Sequence, residues 1–427
     1  MNVFARWRPL PSPDLITHTT HPSNNHHAIS LSLPPNKPWK STPSFKDVLL
    51  PEHDNAIAYS RIVQPTVSNV LIGGCSSFFA YGHSGSGKTH TIIGYDYEND
   101  HQLGLCLASA RQLFASLEEL NKSGGEQLGL GLSLFELRHK KAFDLLNGRV
   151  ECHIREGADG KTHIRGETEM LEDGKVRVRP VTKLPCWSLS ELKSKLIEGL
   201  ARRSVGTSSI HDESSRTHAV LELEIISQSL VEARETLIQR ESELVPVGKR
   251  ATDVKVSEQT KAIVMGEEGK WKPNPDYQVN QSLIDECDAA QAACEARIAE
   301  AESEISKLYE SSAHKCLGGK MLFIDLAGAE YQDDKSAQAK KQTPKERQEA
   351  RQINTDLLAL KEVIRAWSGN KPRIPFRSST LTMVLREHFL SSQCGNSGMI
   401  VTVSPAKSQF AATVNSLKYG SLVGAAA

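Results

Sequence analysis

The chain has 427 residues, more than one compact core usually needs, which predicts one large domain with an insertion, or two domains. Hydrophobic residues make up 39% and charged residues 24%, no apolar run approaches the roughly 18 residues of a membrane helix, and no secretory signal opens the chain, so a soluble globular protein is expected. Lysine plus arginine equals aspartate plus glutamate at 51 each, which excludes a global field for acidic partners and leaves that task to local basic patches.

Short apolar runs alternate with amphipathic stretches through most of the chain, the pattern of a sheet covered by helices on both faces. In chain order, Ser76–Tyr81 (SSFFAY) predicts a strand and Gly87–Ile93 a helix start. Leu132–Leu137 predicts a strand, Leu189–Leu200 an amphipathic helix, and His218–Ile225 a strand of alternating polarity. Met321–Leu326 predicts a buried strand, and Arg347–Trp367 and Ser379–Phe389 carry apolar residues at helical spacing. The pattern breaks between about Ser227 and Lys315, where a polar segment, Gly248–Gln281, precedes a Glu- and Ala-rich run, Leu283–Tyr309. Residues 228–315 are therefore expected to be an insertion, partly coiled-coil, within one domain spanning 1–427. Ile284, Cys287, Gln291, Cys294, Ile298, Ala301, Ile305 and Leu308 follow a 3-4 spacing, which fits either a projecting helical hairpin or a single charged surface helix. The eight cysteines show no CxxC spacing, which argues against a zinc site or a disulfide framework and for a reducing, cytoplasmic setting.

The sharpest motif is Gly82-His83-Ser84-Gly85-Ser86-Gly87-Lys88-Thr89, a GxxxxGK[ST] loop placed between a predicted strand and a predicted helix. Glycines let the backbone wrap phosphates, and successive N–H groups supply a positive field. Lys88 is expected to reach the β- and γ-phosphates of ATP, and Thr89 to ligate Mg²⁺.

Three tracts in order, Ala80–Thr91 (AYGHSGSGKTHT), Asp212–His218 (DESSRTH) and Asp325–Glu330 (DLAGAE), resemble the P-loop, switch I and switch II of kinesins. Arg6-Trp7-Arg8-Pro9-Leu10 is similar to the family's adenine-binding RxRP. Glu349–Leu360, Ile374–Thr382 and Thr413–Gly420 resemble its switch II helix, tubulin-facing loop and last helix. The resemblance runs from residue 3 to about residue 423, outside the insertion. It implies a three-layer α/β P-loop NTPase motor domain with a central, mainly parallel sheet and helices on both faces. It also implies ATP and Mg²⁺ as cofactors, microtubules as partner, a cytoplasmic, cytoskeletal location that includes the spindle, and no nucleic-acid or membrane partner. A partner helix could pair with the insertion.

On the matching positions, the resemblance implies that Asp325 holds Mg²⁺ through water, that Ser215 ligates it, and that Gly328 meets the γ-phosphate with its backbone N–H. It further implies that Ser214 positions the attacking water, that Arg216 and Glu330 close over the nucleotide, and that Glu330 takes the proton. By the same resemblance Arg6, Pro9 and His90 are expected to enclose the adenine, and Gly82, Ser84, Gly85, Ser86, Gly87, Lys88 and Thr89 to hold the phosphates. Lys371, Arg373, Arg377 and Arg386 form the basic face for acidic tubulin, and Lys175, Arg177 and Arg179 line one face of a further predicted strand. The wording IPFRSSTLTMVLREHF and NSLKYG leans toward the microtubule-depolymerising kinesins. The sequence departs from the family at His211, Ala329 and Thr380, where asparagine, serine and lysine are usual. His211 and Ala329 suggest one rival, a catalytically weak or inactive kinesin-like microtubule-binding module; a second rival is a P-loop enzyme unrelated to filaments.

Overall fold

Every residue of Cys75–Tyr81 is buried, as is nearly all of Lys320–Asp325, and segments without a solvent face belong at the centre of a sheet. The computed structural model describes residues 1–11, 14–122, 124–157, 160–203, 216–266, 269–311, 314–329, 344–390 and 396–426. Its contacts divide the chain into two units: Met1–Arg165 with Val181–Ile226 and His314–Ala427, and Gly166–Pro180 with Ser227–Ala313.

The first unit opens with β1 (Asn2–Trp7), a separate three-stranded meander of β2 (Thr17–Ser23), β3 (His26–Ser32) and β4 (Trp39–Lys40), and the short β5 (Asp47–Leu49). Helix α1 (Asn55–Ile62) leads to β6 (Cys75–Tyr81), α2 (Lys88–Ile92) and α3 (Leu105–Lys122). Strands β7 (Leu128–Arg138), β8 (Lys141–Asp144) and β9 (Val150–Glu156) follow, and β10 (Thr162–Met170) carries the chain into the second unit, where β11 (Val176–Pro180) lies. Back in the first unit are β12 (Leu184–Cys186), α4 (Leu189–Ala201) and β13 (His218–Ser227).

The second unit continues with α5 (Gln228–Lys261), a two-stranded ribbon of β14 (Ile263–Met265) and β15 (Trp271–Pro273), and α6 (Gln281–Ser311). The first unit closes with β16 (Lys320–Asp325), α7 (Pro344–Ser368), α8 (Thr380–Val384), α9 (Arg386–Leu390), β17 (Asn396–Val403) and α10 (Phe410–Ala426).

Sheet order in the first unit is β10-β9-β8-β7-β13-β16-β6-β17-β1-β5, with β12 antiparallel on β7. The parallel ladders lie together: β6 pairs in parallel with β16 and β17, and β1 with β17 and β5. The β7–β8, β8–β9, β9–β10 and β13–β16 ladders are antiparallel, so the sheet is mixed and its parallel part is what carries the loop region of Gly82–Lys88. Leu360, Ile364, Leu381, Phe389 and Leu417, from the helices after β16, are buried in one core with Phe79, Ile324 and Val401 of the sheet. Helices α3 and α4 pack on β7. Helix α4 starts where Ser188 accepts a hydrogen bond from the Glu191 N–H and Glu191 reaches back to the Trp187 N–H, a capping arrangement that the sequence SLSEL encodes.

In the second unit α5 and α6 run antiparallel, with Arg234 bonded to Tyr309 near one end and Lys255 close to Asp288 near the other. The α6 residues Ile284, Cys287, Cys294 and Ala301 are buried while their neighbours are exposed. The polar tract from Gly248 is helical as far as Lys261, and the helix passes through Pro246. Packing against α6, rather than helix propensity, sustains it. Glu258 caps the turn beyond α5, accepting from the Tyr277 hydroxyl at 2.6 Å and the Asn280 N–H at 2.9 Å, and the Tyr277 bond leads the causes that hold its carboxyl down at about 2.

Ser379–Phe389 is two short helices separated at Leu385, because Ser379 and Thr382 form a capping box for the first alone. Six described cysteines are free thiols, but Cys75 is disulfide-bonded, which the scattered spacing did not foretell. Among the described residues no helix is long and apolar enough to cross a membrane, and no group of histidine, cysteine and carboxylate side chains could hold a metal by itself.

Candidate active site

The loop from Gly82 to Gly87 joins β6 to α2. Gly87 takes φ +104 just before Lys88, a left-handed turn that favours glycine and brings the next side chain back over the loop. Lys88 is only 5% exposed, and its ammonium donates to the carbonyls of Gly82 at 3.1 Å and His83 at 2.9 Å. Burial lowers its pKa to about 8, against the pull of Asp325 and with the repulsion of Arg203. A desolvated cation resting on carbonyls is poised to turn to a phosphate, which satisfies it better.

Thr89 donates its hydroxyl proton to Asp325 Oδ2 at 2.8 Å, joining the start of α2 to the end of β16. Arg203, just past α4, donates to the same Oδ2 at 2.7 Å and to the Thr217 carbonyl at 3.2 Å. Asp325 Oδ1 is buried and has no hydrogen-bond partner among the described residues. An orphaned carboxylate oxygen beside a threonine hydroxyl is the donor set of a hydrated hard cation, so the residues fit Mg²⁺. Beyond Asp325, a Cβ on Gly328 would fall 2.9 Å from the backbone of Ser84, so only glycine lets this segment lie on the loop. The Ala329 N–H donates to the Gly82 carbonyl at 3.1 Å, and Ala329 is buried. The Ala327 N–H donates to His218 Nδ1 at 3.0 Å, which ties the end of β16 to the start of β13.

A cavity of about 470 Å³ opens above the loop, lined by Arg6, Pro9, Gly85, Ser86, Gly87, Lys88, Thr89 and His90 from the sequence expectation, together with Arg8, Thr91, Tyr95 and Thr402. Arg6 Nη1 donates to Thr91 Oγ1 at 3.0 Å, and burial brings its guanidinium down to about 10. Arg8 bonds the Gly85 carbonyl. Ser86 Oγ lies 2.7 Å from Thr402 Oγ1. Gly82 and Ser84 stand behind the cavity, against Thr402 and Gly328. Ser214, Ser215, Glu330 and His211 lie outside the described residues. Arg216 approaches Glu349 Oε2 at 3.8 Å, and Arg138 holds Oε1 of the same carboxylate at 2.8 Å.

The basic residues expected to face tubulin lie apart from the cavity lining. Lys371 and Arg373 are exposed. Arg377 grips Glu156 with two bonds of 2.9 and 2.7 Å, and Arg386 adds a third at 3.1 Å. Thr380, where lysine is usual, begins α8 and is half-buried. Arg177 and Arg179 are paired with Glu169 inside the second unit. Sequence reasoning missed Arg203, Tyr95, Thr402 and Glu156. Arg203 left one signal, an arginine doublet ending an amphipathic helix just ahead of DESSRTH.

The model of the kinesin motor domain family matches residues 12–268 and 298–425. The chain belongs to the kinesin motor-domain family. Kinesin motor domains are ATP-dependent microtubule motors whose ATPase is stimulated by the track, and kinesins associate with the cytoskeleton. Among curated relatives, kinesin-like protein KIF24 of Homo sapiens is 25% identical over 379 residues, covering 89% of this chain and 20% of its own length. The Mus musculus KIF24 is 24% identical over the same span. The chain thus spans about a fifth of the length of the curated relatives it matches. Two solved structures share the kinesin fold across 99% of this chain and 98% of their own. They are the motor domain of a Kar3-like kinesin from Ashbya gossypii (TM-score 0.60, 19% identity) and that of Kar3 from Saccharomyces cerevisiae (TM-score 0.61, 18% identity).

Proposed function

We propose that this chain hydrolyses MgATP to ADP and phosphate and couples the change to microtubule binding and release. The observation that carries the reading is the convergence of Thr89, Arg203 and the half-orphaned Asp325. It links the phosphate loop, the segment entering switch I and the strand entering switch II through one carboxylate. A change at the phosphates is felt by both switches at once.

Lys88 leaves its two carbonyls to neutralise phosphate charge, and the main-chain N–H groups of Gly85–Lys88 cradle the oxygens. Arg6, Pro9 and His90 enclose the base. Thr89, Ser215 and, through water, Asp325 would hold Mg²⁺, which would supply charge neutralisation of the phosphate oxygens. Ser214 orients the water, Gly328 senses the γ-phosphate, and Glu330, gated by Arg216, takes the proton. Lys371, Arg373, Arg377 and Arg386 meet the acidic track. The likeness of IPFRSSTLTMVLREHF and NSLKYG to depolymerising kinesins points the output toward microtubule ends, with the spindle among its locations. The helical hairpin of 228–315 is an insertion in the motor domain. A coiled-coil partner for it would use its outer faces, because α6 already packs its apolar stripe on α5.

Steady-state phosphate release with and without microtubules tests the proposal. Track-stimulated turnover in the parent and none in Lys88→Ala, with the variant still folded, is the expected result. Track binding without turnover in the parent would mark a non-catalytic module. Turnover with no cosedimentation in any nucleotide state would mark a P-loop enzyme unrelated to filaments.

A further inference from the structure

Asn55, the first residue of α1, is fully buried, and its amide nitrogen donates to two backbone carbonyls, those of His90 and Gln102, each at 3.0 Å. Its own N–H donates to the His101 carbonyl at 3.1 Å. Asp54, which caps α1 by accepting from the Ile57 N–H, lies 3.1 Å from His101 Nδ1. Gly94 and Leu103 form an isolated antiparallel bridge, and a Cβ on Gly104 would fall 2.1 Å from the Ile93 backbone. The loop from Gly94 to Gly104 is therefore fixed at its far end against both α1 and the end of α2. That anchoring delivers a side chain to the site, for Gln102 Oε1 lies 3.3 Å from His90 Nε2. An amide oxygen only accepts, so the ring nitrogen donates. His90 lines the nucleotide cavity, whereas Gln102 reaches it from outside the lining.

We propose that Gln102 is a positioning residue for nucleotide binding: it holds the His90 ring in place as a wall of the base site, so that the loop tunes affinity for the base and not for the phosphates. The inference rests on the nucleotide-site reading above, in which His90 faces the adenine. A histidine free to rotate loses side-chain freedom when a base packs on it, and that loss subtracts from affinity. Bonded to Gln102, whose main chain is itself tied to Asn55, the ring has surrendered the freedom before the base arrives. The gain is about what immobilising one side chain costs, a factor of roughly two to ten in affinity. The phosphate loop owes nothing to this bond, because Gly85–Lys88 would hold the phosphates through main-chain N–H groups and the Lys88 ammonium.

Gln102→Leu keeps the bulk and removes the acceptor. A fluorescent ADP analogue labelled on the ribose is bound in MgCl₂ and displaced with unlabelled ADP or with inorganic pyrophosphate, which gives a dissociation constant for each. ADP should bind the variant about two- to tenfold more weakly than the parent, and pyrophosphate equally to both. Gln102→Glu retains an acceptor for the ring, so its ratio of ADP to pyrophosphate affinity should return to that of the parent. Equal ADP affinity in parent and Gln102→Leu would overturn the proposal, as would a ratio in Gln102→Glu as low as that of Gln102→Leu. So would a matching loss for ADP and pyrophosphate, because the substitution would then act on the phosphate loop or the fold rather than on the base wall. A parent protein that binds neither the ADP analogue nor pyrophosphate would instead overturn the nucleotide-site reading, and this proposal with it.

Discussion

Arg203 and Asp325, separated by 122 positions in the sequence, meet as an ion pair of 2.7 Å whose side chains are 4% and 1% exposed. The geometry places a guanidinium beside the carboxylate that Thr89 also binds, so three segments depend on one buried charge.

Removing Arg203 leaves that carboxylate without its compensating cation. Arg203→Ala is expected to lower stability by about 3–5 kcal/mol, and the Arg203→Ala, Asp325→Asn double variant by less than the sum of the singles. Urea denaturation of the four proteins measures the coupling. Strict additivity would contradict it.

Asp356 on α7 faces the buried His218, with Oδ2 3.9 Å from Nε2, and Gln352 donates to its Oδ1 at 3.1 Å. Burial raises the Asp356 carboxyl to about 6 and lowers the His218 imidazole to about 3, so near neutral pH the histidine is uncharged. Because the folded pKa of Asp356 lies above its unfolded value, the stability it contributes is complete below the ordinary carboxylate range. It is lost as pH rises through about 6. Asp356→Asn should therefore be more stable than the parent by about 1–2 kcal/mol at pH 7.5, with the gap closing near pH 4. Thermal melts at the two pH values check the sign.

The Glu156 fork ties down the two arginines assigned to the track. Glu156→Gln should free them and tighten microtubule cosedimentation by about two- to threefold at low salt, with the gain fading as salt rises. Arg377→Ala should weaken binding and flatten its salt dependence while nucleotide affinity stays put. Equal affinity for parent and Glu156→Gln at low salt would show that the fork does not compete with tubulin.

Helix α5 packs on β11 within the second unit, where Gln239 and Glu235 bond Arg177 and Arg179. Excising 228–313 alone uncovers that strand, and the product should aggregate. Removing 166–180 as well should give a soluble protein that still binds nucleotide. The remaining ends already meet, since the Val181 N–H donates to the Ile164 carbonyl and the Gly318 N–H to the Ile225 carbonyl. Size-exclusion chromatography and fluorescent nucleotide binding distinguish the two deletions. A soluble first deletion would argue that β11 needs no cover.

The amino-acid sequence determined whatever rests on local spacing. GHSGSGKT between SSFFAY and an apolar stretch fixed the strand, the loop and the helix start, because glycine conformations and buried apolar runs are properties of neighbouring residues. The 3-4 stripe from Ile284 to Leu308 marked the face that α6 buries, for the same reason. Tertiary structure alone decided which distant charges share a partner. Arg203 reaches Asp325, and Arg377 and Arg386 reach Glu156, through the folding of strands and loops that no sequence period encodes. Asp356 likewise reads in the sequence as one more polar position on a helix, and only packing against β13 turns it into a buried carboxyl. Tyr95 looks like a loop residue until the cavity closes beneath it. The physical reason is common to all four: hydrogen bonding and burial depend on distances through space, and those are set by the whole sheet.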